Sequence, residues 1–276
     1  MENITEEKKL EQSDDIREYV RFRIKAKTLK EILGFKNAID CISIVKLVFT
    51  EDGIEYAVTN ETHDVMIKTS IKKELCNEYS LINNIKTSNK VILDIDMENV
   101  LTFLKISTKE DSILFVYDSN ADSSHFSMSI GNVTRRFGIC SDSEVSEIKT
   151  PKLELPASFT IRVEDLKKFL TQSGEITYQF SITTTSDDVK LFAENDTEKV
   201  DFPVTVQNLV SNSTHKSLFS IELFEGIVKK FMSLFDTVDV GLGTDNPVQL
   251  TGSKMKKTGS PFLNVVVLIA PRIESE

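Results

Sequence analysis

The sequence has no tryptophan, three cysteines, three histidines and only six prolines in 276 residues. Cys41, Cys76 and Cys140 are too few and too scattered for a disulfide framework. They keep no zinc-ligand spacing, and Cys41 lies in an apolar run, which suits a reducing interior. His63, His125 and His215 have no metal-ligand spacing either. Gly241-Leu-Gly243 lacks the third glycine of a dinucleotide loop, and there is no phosphate-loop lysine motif. Asp94 and Asp96 are explained more cheaply by a strand end and a helix cap than by a magnesium site. No cofactor, no metal and no catalytic residue is therefore expected, and the chain is not read as an enzyme. No apolar run approaches membrane-spanning length, and the opening MENITEEKKLEQSDD is charged where a signal peptide would be apolar. The expectation is an intracellular protein with no membrane partner, nuclear in a eukaryote and otherwise cytoplasmic. Positive charge is short too: 33 Lys and Arg stand against 43 Asp and Glu, for a net charge of −10. That balance argues against nucleic acid unless the cations are gathered on one face.

What the sequence does have is one pattern written twice. Residues 1–18 lack apolar periodicity and are expected to form a flexible tail. Residues 19–137 and 157–276 each read as strand, helix, strands, helix, strands, and the polar stretch 138–156 connects them. Val145, Ile148 and Leu153 are apolar residues set into that connector, which suggests that it lies along a surface. The Asp52-Gly53 pair marks a hairpin. Helices are expected over 27–39, 97–106 with Asp96 as cap, 164–172, and within 218–235. Each has one apolar stripe, such as Leu29, Ile32, Leu33, Phe35 and Ile39 in the first, or Ile221, Phe224, Val228, Phe231 and Phe235 in the fourth. The opposite sides carry Lys27 and Lys30, Lys105, Lys167 and Lys168, and Lys229 with Lys230 beside it; Gly226 is placed on the outer side of the fourth. The expected fold is α+β: two similar domains, each an antiparallel sheet with two helices on one face.

The closing stretch Phe262-Leu-Asn-Val-Val-Val-Leu-Ile-Ala-Pro-Arg-Ile-Glu-Ser-Glu276 resembles the last strand and tail of DNA sliding clamps of the proliferating cell nuclear antigen family. Phe49-Thr-Glu-Asp-Gly-Ile54 is similar to the family's first hairpin. Val133-Thr-Arg-Arg-Phe137 and Lys152-Leu-Glu-Leu-Pro-Ala-Ser-Phe-Thr-Ile161 are similar to the strands that enter and leave its connector. The likeness runs in order from Tyr19 to Glu276.

The resemblance implies a processivity factor: a ring of three subunits around double-stranded DNA, with the helices lining the hole and the sheets outside. Sequence-independent phosphate contact suits lysines on helix faces. Lys30, Lys105 and Lys229 match positions where the family places basic residues, and Lys27, Lys167, Lys168 and Lys230 share their faces. By themselves these lysines read as ordinary solvated helix sides. Glu31 and Thr102 stand where relatives carry Lys, so weak, salt-sensitive DNA contact is expected.

The resemblance also implies partners, namely a clamp loader, DNA polymerase and other enzymes that carry a peptide with a Gln and two aromatic anchors. The matching pocket positions are His63, Val145, Ile148, Pro247, Leu268, Ala270 and Pro271. Taken alone, His63 reads as a surface loop residue and Pro247 as a turn former. Subunit contact is expected edge to edge, through Arg135, Arg136 and Phe137 on one side and Asp201 and Phe202 on the next copy. Pro203 deletes a backbone donor there, which is expected to weaken the interface. A homotrimer is the first expectation, with a subunit of a mixed ring or of a checkpoint-type clamp as the alternative.

Overall fold

A computed structural model describes residues 17–41, 43–84, 89–140, 148–255, 259 and 261–272. In the first half, β1 (Glu18–Lys25) runs straight into helix α1 (Ala26–Leu33), and β2 (Ile44–Thr50), β3 (Gly53–Thr59), β4 (Val65–Lys72) and β5 (Glu78–Asn83) follow. Next, β6 (Lys90–Asp96) feeds α2 (Met97–Leu104), and β7 (Ser112–Asp118), β8 (His125–Ile130) and β9 (Val133–Gly138) close the half. The second half repeats this order. Strand β10 (Ala157–Arg162) enters α3 (Val163–Ser173), and β11 (Gln179–Thr184), β12 (Val189–Glu194), β13 (Lys199–Pro203) and β14 (Gln207–Val210) come after it. Then β15 (His215–Ser220) enters α4 (Ile221–Leu234), before β16 (Thr237–Leu242), β17 (Val248–Met255) and β18 (Pro261–Ile269).

All pairings are antiparallel, but each half builds two runs of strands and not the one sheet per domain that was expected. The first half gives β5-β1-β7-β8-β9 and β4-β3-β2-β6; the second gives β14-β10-β16-β17-β18 and β13-β12-β11-β15. The runs correspond strand for strand. In the chain, β18 pairs with β4, which fuses one run of each half into a nine-stranded sheet. The composition of β18 explains this. Its Val265, Val267 and Ile269 are fully buried and Leu268 nearly so, as in a strand covered on both sides.

Three expected boundaries shift. The first helix ends at Leu33 and tightens into a 3-10 turn over Gly34–Ala38, which brings the Phe35 ring edge-on to Phe231 of α4 at 5.4 Å. Strand β13, expected from the sequence to run from Lys199 to Val206, stops at Pro203, and the segment after it pairs in another sheet, with β10. The residues before α4 form β15, which pairs with β11, so the fourth helix begins only at Ile221.

With no tryptophan available, phenylalanine fills the core. In the first half Phe22, Phe115, Phe126 and Phe137 stack in series, with successive centroids 4.8, 4.9 and 5.1 Å apart. In the second half Phe180 receives Phe169 and Phe224 edge-on at 5.4 and 4.9 Å. Such pairs contribute roughly 0.5–1.5 kcal/mol each beyond their buried area. Between the halves, α4 lies so close to the 3-10 turn that a Cβ on Gly226 would come within 2.8 Å of the Ala38 carbonyl oxygen. Gly226 is therefore part of the helix junction and does not belong to the outer side where the helical wheel placed it.

The Asp96 cap forms as the sequence suggests: its Oδ1 accepts from the backbone N–H groups of Glu98 (3.0 Å) and Asn99 (3.2 Å). Asp96→Ala is expected to cost about 1 kcal/mol, read as a lower thermal midpoint without change of fold.

Candidate nucleic-acid face, subunit edges and partner cleft

The four helices adjoin in the order α2, α1, α4, α3 and form one row. Their apolar stripes are buried beneath them, so their polar sides make a single face. All seven expected lysines are on or beside that face, yet most are engaged within the chain. Lys30 Nζ donates to the Ser107 carbonyl at 2.7 Å. Lys27 lies 3.8 Å from Glu31, Lys168 3.0 Å from Glu164, and Lys229 3.4 Å from Glu225. The Glu164 carboxyl is held below the usual carboxylate range, mainly by its hydrogen bond from Lys168. Because that shift is downward, the pair persists as pH falls toward the ordinary glutamate range. Lys105 and Lys167 are exposed, and Lys230 is half-buried beside Gly34. Carboxylates at Glu31, Glu98, Glu164, Asp165, Glu222 and Glu225 bring the row near neutrality. The chain's acidic surplus therefore lies elsewhere on the molecule.

Lys36 was not singled out from the sequence. It is 5% exposed, with its ammonium 3.3 Å from Glu98, and it ties the 3-10 turn to α2. Nothing in its local pattern distinguishes it from its solvated neighbours.

The expected subunit residues fall on two open sheet edges, β9 and β13, which end the five-stranded and four-stranded sheets. Row and edges coincide: Phe137 of β9 packs against Phe103 of α2 at 5.6 Å, and Phe202 of β13 against Phe169 of α3 at 6.0 Å. Arg135 stacks over the Phe137 ring at 5.0 Å. Arg136 is held on the other face of the strand by Asp122, which also approaches His125 Nδ1 at 3.1 Å. Asp201 is exposed.

A cleft of about 800 Å³ opens where the chain leaves β18. Leu218, Ala270 and Pro271 supply apolar lining, and Lys216, Ser217, Thr244, Asp245 and Arg272 the rest. Arg272 N donates to the Leu218 carbonyl at 2.7 Å, which pins the wall to β15, and its guanidinium covers the Tyr178 ring at 5.0 Å. Of the expected pocket set, Ala270 and Pro271 line this cleft. Pro247 closes the turn that carries Asp245, and His63 precedes Asp64, whose carbonyl accepts from Ala270 N at 2.7 Å. Leu268 is buried just upstream, and Ile148 is half-buried outside the lining set. Val145 lies outside the described residues. The β15 contribution was missed because Lys216 and Ser217 were assigned to no element and Leu218 fell within the stretch expected to contain the fourth helix.

Gly241 and Gly243, dismissed above as a nucleotide loop, have a packing role. A Cβ at Gly241 would fall 2.7 Å from Leu155 Cδ1, and one at Gly243 3.2 Å from Pro156 Cδ. The end of the connector thus lies directly on β16.

No family model matches the chain. Over 250 residues it is 24% identical to the DNA polymerase sliding clamp of Methanocella arvoryzae, covering 88% of this chain and 96% of that protein. It is 26% identical over 243 residues to the clamp of Archaeoglobus fulgidus, covering 85% and 91%. With the clamp of Methanobrevibacter smithii it shares 27% over 252 residues, covering 87% and 95%. Among solved structures, that of the C-terminal region of FEN-1 bound to A. fulgidus PCNA aligns with a TM-score of 0.80 at 21% identity, over 93% of this chain and 100% of that one. The PCNA2-PCNA3 complex from Sulfolobus tokodaii aligns at 0.72 and 19%, over 91% and 99%. The chain has the fold of these proteins.

Proposed function

We infer that this chain is a DNA sliding clamp subunit of the proliferating cell nuclear antigen family, a processivity factor that encircles duplex DNA and tethers replication and repair enzymes. One observation carries it: a strand-for-strand repeat ends in two open edges, β9 beside α2 and β13 beside α3, with all four helices in one row. Joining edge to edge continues both the sheet and the helix row, which is what a closed ring of copies requires. Clamp domain 1 spans 19–137, clamp domain 2 spans 157–276, and 138–156 connects them. Three copies of the chain form the ring, with a mixed ring as the second reading. The protein acts inside the cell, where DNA is, and performs no turnover of its own.

Duplex passes along the helix row and is held through Lys27, Lys30, Lys105, Lys167, Lys168, Lys229 and Lys230 by exchangeable phosphate contacts. Four of these already have partners in the chain, so the hold is loose. Partner peptides enter the cleft beside Ala270 and Pro271. The test is a polymerase on primed circular DNA with a clamp loader: the chain should lengthen products and hydrolyse neither nucleotide nor nucleic acid. Turnover by the purified protein that a cleft substitution abolishes would overturn the reading. Changing Lys105 or Lys167 to Ala should weaken duplex binding equally for all sequences, and each change should flatten the salt dependence by about one unit of log–log slope. Titration at several salt concentrations reads this.

A further inference from the structure

The cleft beside Ala270 carries charges that an apolar plug alone leaves unused. We propose that the partner segment it takes has a carboxylate next to its apolar anchor, and that Arg272 and Lys216 together receive that carboxylate. This rests on the reading of the cleft as the partner site and adds the chemistry that selects among partners.

Arg272 differs from most of the chain's arginines. Arg17, Arg21, Arg23, Arg136 and Arg162 each meet a carboxylate of the same chain, in turn Asp118, Glu78, Glu78, Asp122 and Glu164. With 43 Asp and Glu against 33 Lys and Arg, such partners are plentiful. Arg272 instead lays its guanidinium over the Tyr178 ring at 5.0 Å, and among the described residues its side chain has no ion pair or hydrogen bond. The stack covers one face of the guanidinium and leaves free its edge, where the N–H groups lie in one plane. That fork of donors matches the two oxygens of a single carboxylate. The side chain is also fixed in advance. Its backbone N–H is bound to the Leu218 carbonyl at 2.7 Å and its head rests on the ring, so a ligand finds it with little freedom left to lose.

Lys216 supplies the second cation. Residues 216 and 218 of β15 project from the same face of the strand, while Ser217 and Phe219 point inward and are buried. The ammonium is thereby placed beside the Leu218 wall of the cleft, and it is exposed with no ion pair among the described residues. Asp245 is the one carboxylate among the described lining residues. It sits in a turn at a φ of 56°, its backbone N–H donates to Ser217 Oγ at 3.1 Å, and it pairs with neither cation. The lining is therefore positive by one charge in a chain whose net charge is −10. A bare anion would leave Leu218, Ala270 and Pro271 uncovered, and a purely apolar segment would leave both cations unpaired. An apolar residue with an acidic neighbour satisfies both.

The chain's general field disfavours an acidic peptide, so a preference for Glu has to come from the cleft itself. The test uses labelled peptides with a Gln and two aromatic anchors, read by fluorescence anisotropy on the full chain. Glu is placed at each remaining position in turn, with Gln there as the neutral reference and Lys as the opposite charge. At one position, or two adjoining ones, Glu should tighten binding roughly three- to tenfold over the reference, and Lys should weaken it. The gain should vanish near 1 M salt, where charges are screened within about 3 Å. Lys216→Glu should reverse the order so that the Lys peptide binds best, and Arg272→Gln should bring the Glu and neutral peptides to equal affinity. Peptides that bind with no position favouring Glu, or a gain that survives both substitutions, overturn the proposal and leave the partner cleft in place. A gain that appears only after Glu274→Gln and Glu276→Gln assigns the two cations to the chain's own carboxylates and overturns it as well. If no peptide of the set binds, the proposal and the cleft reading fall together.

Discussion

Phe231→Ala is expected to lower unfolding stability by about 3–5 kcal/mol, the range for emptying a buried aromatic site. Phe231 is 1% exposed and meets Phe35 at 5.4 Å and Phe235 at 5.5 Å, so it belongs to both halves at once. The site cannot collapse easily. Gly252 already lies against the Phe231 and Phe235 rings, where a Cβ would come within 2.7 Å, and the Gly226 contact with Ala38 holds α4 in place. A loss of this size is a large part of the roughly 5–15 kcal/mol that stabilises a typical protein. Denaturant titration should show a much lower midpoint, and a shift under about 1 kcal/mol would mean that the halves do not depend on this ring.

Ala270→Arg is expected to reduce capture of a peptide carrying a Gln and two aromatic anchors by at least about 30-fold, corresponding to about 2 kcal/mol. Ala270 sits with Leu218 and Pro271 in the apolar part of the cleft, and a guanidinium there fills the space and brings charge that an aromatic plug would have to desolvate. The backbone bond from Ala270 to Asp64 does not depend on the side chain, so the strand end should remain in place. Fluorescence anisotropy with a labelled peptide measures the loss, and unchanged molar mass by light scattering shows that assembly is intact. Undiminished binding would move the peptide site away from this cleft.

Much of the architecture could be read from the residues because the helices carry wide apolar stripes and the central strands alternate cleanly. The Asp96 cap and the Asp52-Gly53 hairpin are local signals and form where they were expected. Three strands, β5, β14 and β15, escaped notice, and the first two are equivalent members of the two halves. Among the described residues β5 pairs only with β1 and β14 only with β10, and as edge strands they bury half a face at most: Tyr79 and Leu81 in one, Leu209 in the other. A weak stripe on a short edge strand looks like loop.

The candidate sites were readable to a different degree. Lysines on helix sides are visible in a sequence, but the bond of Lys30 to the Ser107 carbonyl joins residues 77 positions apart. Periodicity contains no trace of it. The cleft was half readable, because Ala270 and Pro271 sit in a recognisable tail whereas Leu218 and Lys216 come from a strand that the sequence pattern did not reveal.

The fusion of the two halves through β18 and β4 has a mechanical consequence. Seven opposed residue pairs bind those strands, so pulling the halves apart means shearing a long ladder all at once. At the outer edges the strands are only six and five residues long. Force applied to an assembled ring should therefore tear it between copies and leave each crescent whole, so a machine that opens it for threading has one kind of joint to pry.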